Sequence, residues 1–142
     1  MPELSATSLE RLKGVNPRMV AVVKEAVSRL PFDVLVTEGL RSRERQKQLY
    51  AQGRTVPGKV VTWTLNSKHC QQADGTGHAV DLCPVIGGSI PWNDRTKFVA
   101  ISKAMFAAAE HLGTHIRWGA NWDGDATPYE KGEYDGPHFE LA

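Results

Sequence analysis

Apolar positions repeat along this chain at two different periods. Met19, Val22, Val23, Ala26 and Leu30 fall on one face of a helix over residues 17–30. Asn16-Pro17 starts it, with Asn as the cap and Pro at the first helical position, where no N–H is needed. A shorter helix precedes it, opened by a capping box in Thr7-Ser8-Leu9-Glu10, running to about Leu12 and closed by Gly14. Ser42 caps a third helix over residues 43–52, which ends at Gly53. Asp94 caps a long fourth helix to about Leu112, with Gly113 as its stop.

Shorter runs read as strands. Residues 32–37 (FDVLVT) form a β-rich run that predicts a buried strand, and residues 77–85, 115–118 and 138–141 predict three more. Residues 53–62 read as loop followed by a possible short strand, and residues 119–136, rich in Gly, Asp and Asn, as loop. Helices and short strands are interspersed, which predicts an α+β fold: a small, mostly antiparallel sheet flanked by helices. No repeat, low-complexity tract or linker interrupts the pattern. The 142 residues match one domain, so residues 1–142 are expected to form a single unit.

Composition narrows the classes. With 41% hydrophobic and 23% charged residues the chain reads as a soluble globule, and a net charge of +1 makes nucleic acid an unfavoured partner. No apolar run is long enough to span a bilayer, so no membrane insertion is expected. The N-terminus lacks the charged start and apolar run of a signal peptide, which predicts synthesis as a cytoplasmic species. Cys70 and Cys83 form no CxxC pair and are expected as two reduced, partly buried thiols.

The strand period sorts the candidate chemistry in SKHCQQADGTGHAVDL, residues 67–82. Ala79, Asp81 and Cys83 share one face, and His78, Val80 and Leu82 the other. Val80 and Leu82 read as core, which makes His78 a structural histidine. A carboxylate in mid-strand is costly unless it is paired or binds metal, so Asp81 is a functional candidate, against the blander reading of an exposed sheet face. In the last strand Phe139 and Leu141 read as core-facing, which turns His138 to the opposite side. Asp135, in the turn before it, stands where a carboxylate could reach a water on a metal held by His138. His69, Asp81 and His138 would supply two imidazoles and a carboxylate, the three-ligand pattern of catalytic zinc.

These residues resemble a known group. Ser67-Lys68-His69, Gly77-His78-Ala79-Val80-Asp81, Trp118-Gly119-Ala120-Asn121-Trp122 and Asp135-Gly136-Pro137-His138-Phe139-Glu140 match, in order, the SxHxxGxAxD, WGxxW and DxPHFE motifs of the VanY-like zinc peptidases. That group holds D-Ala-D-Ala carboxypeptidases and phage L-alanyl-D-glutamate endopeptidases, in a superfamily with the hedgehog N-terminal domain. Residues 38–58 resemble the phage endolysins in particular. The resemblance implies one zinc ion per chain on His69, Asp81 and His138, Asp135 as catalytic base, and Arg41 as the cation that binds substrate or steadies the oxyanion. Ser67, Gln46 and Trp118 become candidate substrate contacts, with Trp122 beside them.

Two departures stand out. His69 and Asp81 are twelve positions apart, more than the family's usual spacing, so a loop at residues 70–76 is expected beside the metal, bringing Cys70 and Asp74 near it. Asn121 stands where the family often has Asp. The implied activity is hydrolysis of peptidoglycan stem peptides at the L-Ala–D-Glu bond by a monomeric phage endolysin without a separate wall-binding domain. It would be made in the host cytoplasm and act on the periplasmic wall after membrane permeabilisation. The alternatives are a D-Ala-D-Ala carboxypeptidase and a non-catalytic, zinc-containing module that binds wall peptides.

Overall fold

A computed structural model describes residues 3–60, 62, 65, 67–121 and 135–142. In chain order the elements are α1 (Ala6–Arg11), α2 (Pro17–Ser28), β1 (Asp33–Glu38), α3 (Arg43–Ala51), β2 (Ala79–Val85), α4 (Arg95–Leu112), β3 (Ile116–Trp118) and β4 (His138–Leu141). The predicted α+β class holds. Among the described residues the strands form one sheet, ordered β1-β2-β4-β3, with every pairing antiparallel. The possible strand after residue 53 falls partly, and Trp122 and most of the 119–136 loop wholly, outside the described residues.

Local chemistry sets the helix ends. Asn16, Ser42 and Asp94 cap α2, α3 and α4 through their side-chain oxygens, as the sequence predicts, and Gly113 closes α4 at φ 69°. α1 departs from expectation. Its cap is Ser5, which accepts from Ser8 N at 3.1 Å, rather than Thr7. Ser8 is fully buried and its Oγ accepts from Val36 N in β1, a tertiary demand that a local capping pattern does not reveal.

One face of the sheet packs on α2 and α4. Val34, Val36, Val80, Leu82, Ile116, Trp118, Phe139 and Leu141 alternate inward and meet Met19, Val22, Val23, Ile101 and Met105 from the helices. Removing such side chains from water, at roughly 25 cal/mol per Å² of apolar surface, is the main stabilising term. The opposite face carries Asp81, Cys83, His138 and Glu140. It is not the solvent-washed surface that a small antiparallel sheet often shows, because Ala79, Cys83, His138 and Glu140 are all buried.

β1 contains an irregularity that matters for the site. Val36 pairs with Leu82, yet Glu38, two residues on, pairs with Asp81, only one residue back. Thr37 is the extra residue of a bulge. In regular pairing Glu38 would oppose Val80 and point to the core. The bulge turns it to the Asp81 face.

Candidate metal centre and active site

Asp81 and His138 are direct cross-strand partners on β2 and β4, so their side chains leave the sheet side by side. His69 comes from outside the sheet, on a turn closed by Cys70 N donating to Ser67 O at 3.0 Å. Ser67 Oγ accepts from His69 N at 3.1 Å and fixes the direction of the histidine. His69 Nε2 lies 3.2 Å from Asp81 Oδ1 and 3.2 Å from His138 Nδ1, and His138 Nδ1 lies 3.3 Å from Asp81 Oδ1. Three donor atoms thus converge on one point.

The spacing fits zinc. Bonds of 2.0–2.1 Å at tetrahedral angles place neighbouring donors about 3.3 Å apart. The far side of each ring is committed elsewhere: His69 Nδ1 donates to Gly39 O at 2.9 Å, and His138 Nε2 donates to Glu140 Oε1 at 2.9 Å. With those outer protons in place, a metal at the common point would meet a lone pair of each imidazole in exchange for any proton held there by Asp81, and such outer partners raise ligand basicity. The electrostatics also favour a cation. Burial alone would lower the His138 pKa, yet hydrogen bonds to Asp81 and Glu140 push it up to about 9. Burial would raise Asp81, but hydrogen bonds from His138 and His69 hold it well below the usual carboxylate range.

Asp135 stands at the edge of this cluster. Its carbonyl accepts from His138 N at 3.1 Å, and its amide donates to Gly119 O at 3.2 Å. Trp118 Nε1 donates to Gly136 O at 2.7 Å and pins the same turn to β3. Gly119 is required by this packing: a Cβ there would sit 2.8 Å from Asp135 Cβ and 3.1 Å from His138 Cβ. Asp135 keeps solvent-exposed surface as a residue. Crowding of its carboxyl by protein atoms raises its pKa, against the His138 charge that lowers it and with the Asp81 charge that raises it further.

Arg41 follows from the bulge. Glu38 Oε1 and Oε2 accept from Arg41 Nε at 2.7 Å and Nη2 at 2.6 Å, a bidentate pair, and Gln46 Oε1 accepts from Nη1 at 2.8 Å. The Arg41 backbone N–H donates to His69 O at 2.8 Å, tying this arm to the metal-site turn. Its guanidinium charge is felt at both Asp81 and Asp135.

Ser67, Gln46 and Trp118, the candidate substrate contacts, are held around the site by bonds of their own. Each is at least nine-tenths buried and bonded inside the protein, supporting His69, Arg41 and the Asp135 turn respectively. Cys70 and Asp74 do not join the three donors. Cys70 is buried against Ser42 O, and Asp74 accepts from His78 Nε2 at 2.7 Å and from Asn16 and Thr76, stitching the inserted loop to α2. β2 begins at Ala79 rather than Gly77, so His78 stands just before the strand, where it bonds Asp74 and not the three donors. Both cysteines are free, and fully rather than partly buried, and burial pushes the Cys83 thiol up to about 11. Glu140, the partner that orients His138, was not singled out from sequence. Its signal was present: alternation places it on the same face as His138, two residues on.

Comparison with known proteins places the chain in one family. The profile of a family described as phage L-alanyl-D-glutamate peptidase matches residues 2–142. The chain is 34% identical over 140 residues to the L-alanyl-D-glutamate peptidase of Escherichia phage T5, covering 94% of this chain and 93% of that one. It is 30% identical over 120 residues to the peptidoglycan L-alanyl-D-glutamate endopeptidase CwlK of Bacillus subtilis, covering 84% of this chain and 66% of the relative. Its fold is similar to that of the Serratia marcescens L-Ala D-Glu endopeptidase ChiX, with a TM-score of 0.76 at 32% identity, over 100% of this chain and 90% of that one.

Proposed function

We propose, from the premise that the chain belongs to the phage L-alanyl-D-glutamate peptidase family, that it hydrolyses the amide between L-alanine and D-glutamate in peptidoglycan stem peptides. The observation that carries this reading is the convergence of His69 Nε2, His138 Nδ1 and Asp81 Oδ1 at 3.2–3.3 Å, with Asp135 beside them. Zinc held by these three atoms would polarise the scissile carbonyl and lower the pKa of a bound water.

The remaining work falls to the chain. The Asp135 carboxylate takes the proton of the attacking water and delivers it to the departing amine nitrogen. Its raised pKa brings it toward the pH of the reaction, where a base that must also act as an acid is most useful. Arg41 has five N–H groups, three of them held by Glu38 and Gln46. The other two are available to a substrate carboxylate or to the developing oxyanion. Glu38 and Gln46 fix the guanidinium before substrate arrives, which removes an ordering cost from the transition state. Among the described residues no helix is long and apolar enough to cross a membrane. A role in lysis of a host cell, with the enzyme reaching the wall after the membrane is breached, is the biological setting this reading implies.

The test is mass spectrometry of purified peptidoglycan digested by the zinc-loaded protein, beside a chelated control. New amino termini on D-glutamate, absent with chelator, are expected. Release of terminal D-alanine alone would move the protein to the carboxypeptidase branch, and no cleavage at all would leave a binding module.

A further inference from the structure

Charge is distributed very unevenly along this chain. Seven of its 17 basic residues lie between positions 41 and 68, with one of its 16 acidic residues, Glu44. That segment is strongly positive, and the remainder of a chain whose sum is +1 is negative. Arg41 is turned inward to Glu38. Arg43, Arg45, Lys47, Arg54, Lys59 and Lys68 are exposed.

α3, which carries the first of these, is an unusual surface helix. Such a helix is ordinarily held by an apolar stripe against the core. α3 gives no residue to the hydrophobic cluster, and its fully buried residue is Gln46. Among the described residues its polar links are the Ser42 cap, the Arg41–Gln46 bond, and Arg43 Nη2 donating to Gln71 O at 3.1 Å. Its inner side serves Arg41; Arg43 and Lys47 lie along one flank of the outer side and Arg45 along the other, with Glu44 and Gln48 between them. The basic surface also runs into the catalytic cluster, since Arg41 N bonds His69 O, Arg43 reaches the loop after His69, and Lys68 precedes it.

We propose that the exposed face of α3 and the turn after it is a docking surface for the anionic peptide strands of the wall polymer, placed beside the catalytic cluster so that charge retains the enzyme on its substrate between cuts. This rests on the substrate reading given above. Glutamate joined through its amine to L-alanine and through one carboxyl to the next residue keeps its other carboxylate free. A stem peptide whose glutamate is not amidated therefore carries negative charge next to the bond to be cut. One exposed Lys or Arg attracts weakly and is screened by salt. Several of them facing a polymer that repeats its carboxylates act together. Continuity with the site favours this polymer over nucleic acid or lipid, because the strand to be cleaved must pass here.

The experiment uses the zinc-loaded protein and an Arg45→Gln/Lys47→Gln/Lys59→Gln variant, which leaves every residue of the site intact. Cosedimentation with purified sacculi and kcat/KM on a short soluble stem peptide are measured at roughly 0.05 and 0.3 M salt, on either side of ordinary screening. The variant is expected to bind sacculi about tenfold or more weakly at low salt while cleaving the soluble peptide within about twofold of the parent. Sacculus binding by the parent is expected to fall with salt. Binding unchanged by the three substitutions overturns the proposal, as does an equal loss on the soluble peptide. Tighter binding by the parent to phosphatidylglycerol vesicles or duplex DNA than to sacculi also overturns it. Failure of the parent to cut the soluble peptide would instead overturn the substrate reading, whatever the sacculus result.

Discussion

Glu140 provides the sharpest test of the metal-centre geometry. Its Oε1 accepts from His138 Nε2 at 2.9 Å, and both side chains are 11% exposed. Glu140→Ala removes that acceptor, and with it the bond that orients the His138 ring from its far side. A hydrogen bond to a charged group is worth about 1.5–3 kcal/mol. At about 1.4 kcal/mol per tenfold, that predicts zinc affinity lower by roughly 10–100-fold, the range seen when outer partners of ligating histidines are removed. Glu140→Gln keeps an acceptor oxygen but not the charge and should fall between parent and Ala. Arg117, 3.9 Å from Glu140 Oε2 and half exposed, gives the control: Arg117→Gln should leave affinity within about twofold, because an exposed ion pair contributes little. The assay is competition against a fluorescent zinc chelator, which reads the metal rather than turnover. If Glu140→Ala binds zinc as tightly as the parent, the argument that this carboxylate sets the His138 ring is refuted.

Four further outcomes follow from the same geometry. Asp135→Ala should lower kcat by about 10²–10⁴ while zinc content stays at one per chain, since the residue moves a proton and holds no metal; loss of zinc in that variant would reassign it. Gly119→Ala should cost about 1–3 kcal/mol of stability and depress activity further, because its Cβ falls 2.8 Å from Asp135 Cβ; an unchanged Tm and rate would show that the turn can move aside. Glu38→Ala should reduce kcat/KM, with Glu38→Asp recovering it only in part, as the shorter carboxylate cannot keep both bonds of 2.6 and 2.7 Å; equal rates in the three proteins would show that Arg41 does not need this clamp. Neither cysteine should react with a thiol reagent at about pH 8 until denaturant is added, given full burial of both and a Cys83 pKa of about 11; rapid native labelling would contradict the packing.

Much of this was legible in the residues because it depends on local rules. The period of α2, the caps at Asn16, Ser42 and Asp94, and the alternation that puts Asp81 and His138 on one side of the sheet all act within a few positions. What was hidden depends on distant chain. The second face of the sheet was not recognisable as buried, because it is covered by the His69 turn and the arm that follows β1, which are remote in sequence from β2 and β4. Thr7 fits the local capping pattern, but Val36 N in β1 claims Ser8 Oγ and α1 starts from Ser5. Cys70 and Asp74 looked close to the metal by sequence distance alone. The loop instead folds back on the segment between α1 and α2, where Gly77 N bonds Gly14 O and Asn16 N bonds Gly77 O at 2.9 Å each. For Ser67, Gln46 and Trp118 motif position indicates nearness to the site but not the bonds to His69 N, Arg41 and Gly136 O that hold them there.

The bulge at Thr37 gives β1 a parity. Counted from the core residue Val36, Glu38 lies an even number of positions away, yet it faces the odd side, where Arg41 waits. Loss of one residue here would behave like a frameshift within the fold: the strand could still pair and its core could still close, but the clamp on Arg41 would be turned away from it. The loop between His69 and Asp81 obeys no such rule, since loop closure costs only slightly more as length grows. Natural variation in length is therefore expected to collect in that loop, while β1 keeps its count. An engineer who wishes to enlarge this enzyme near its active site has one safe place to insert residues and, a few ångströms away, a strand where a single residue is too many.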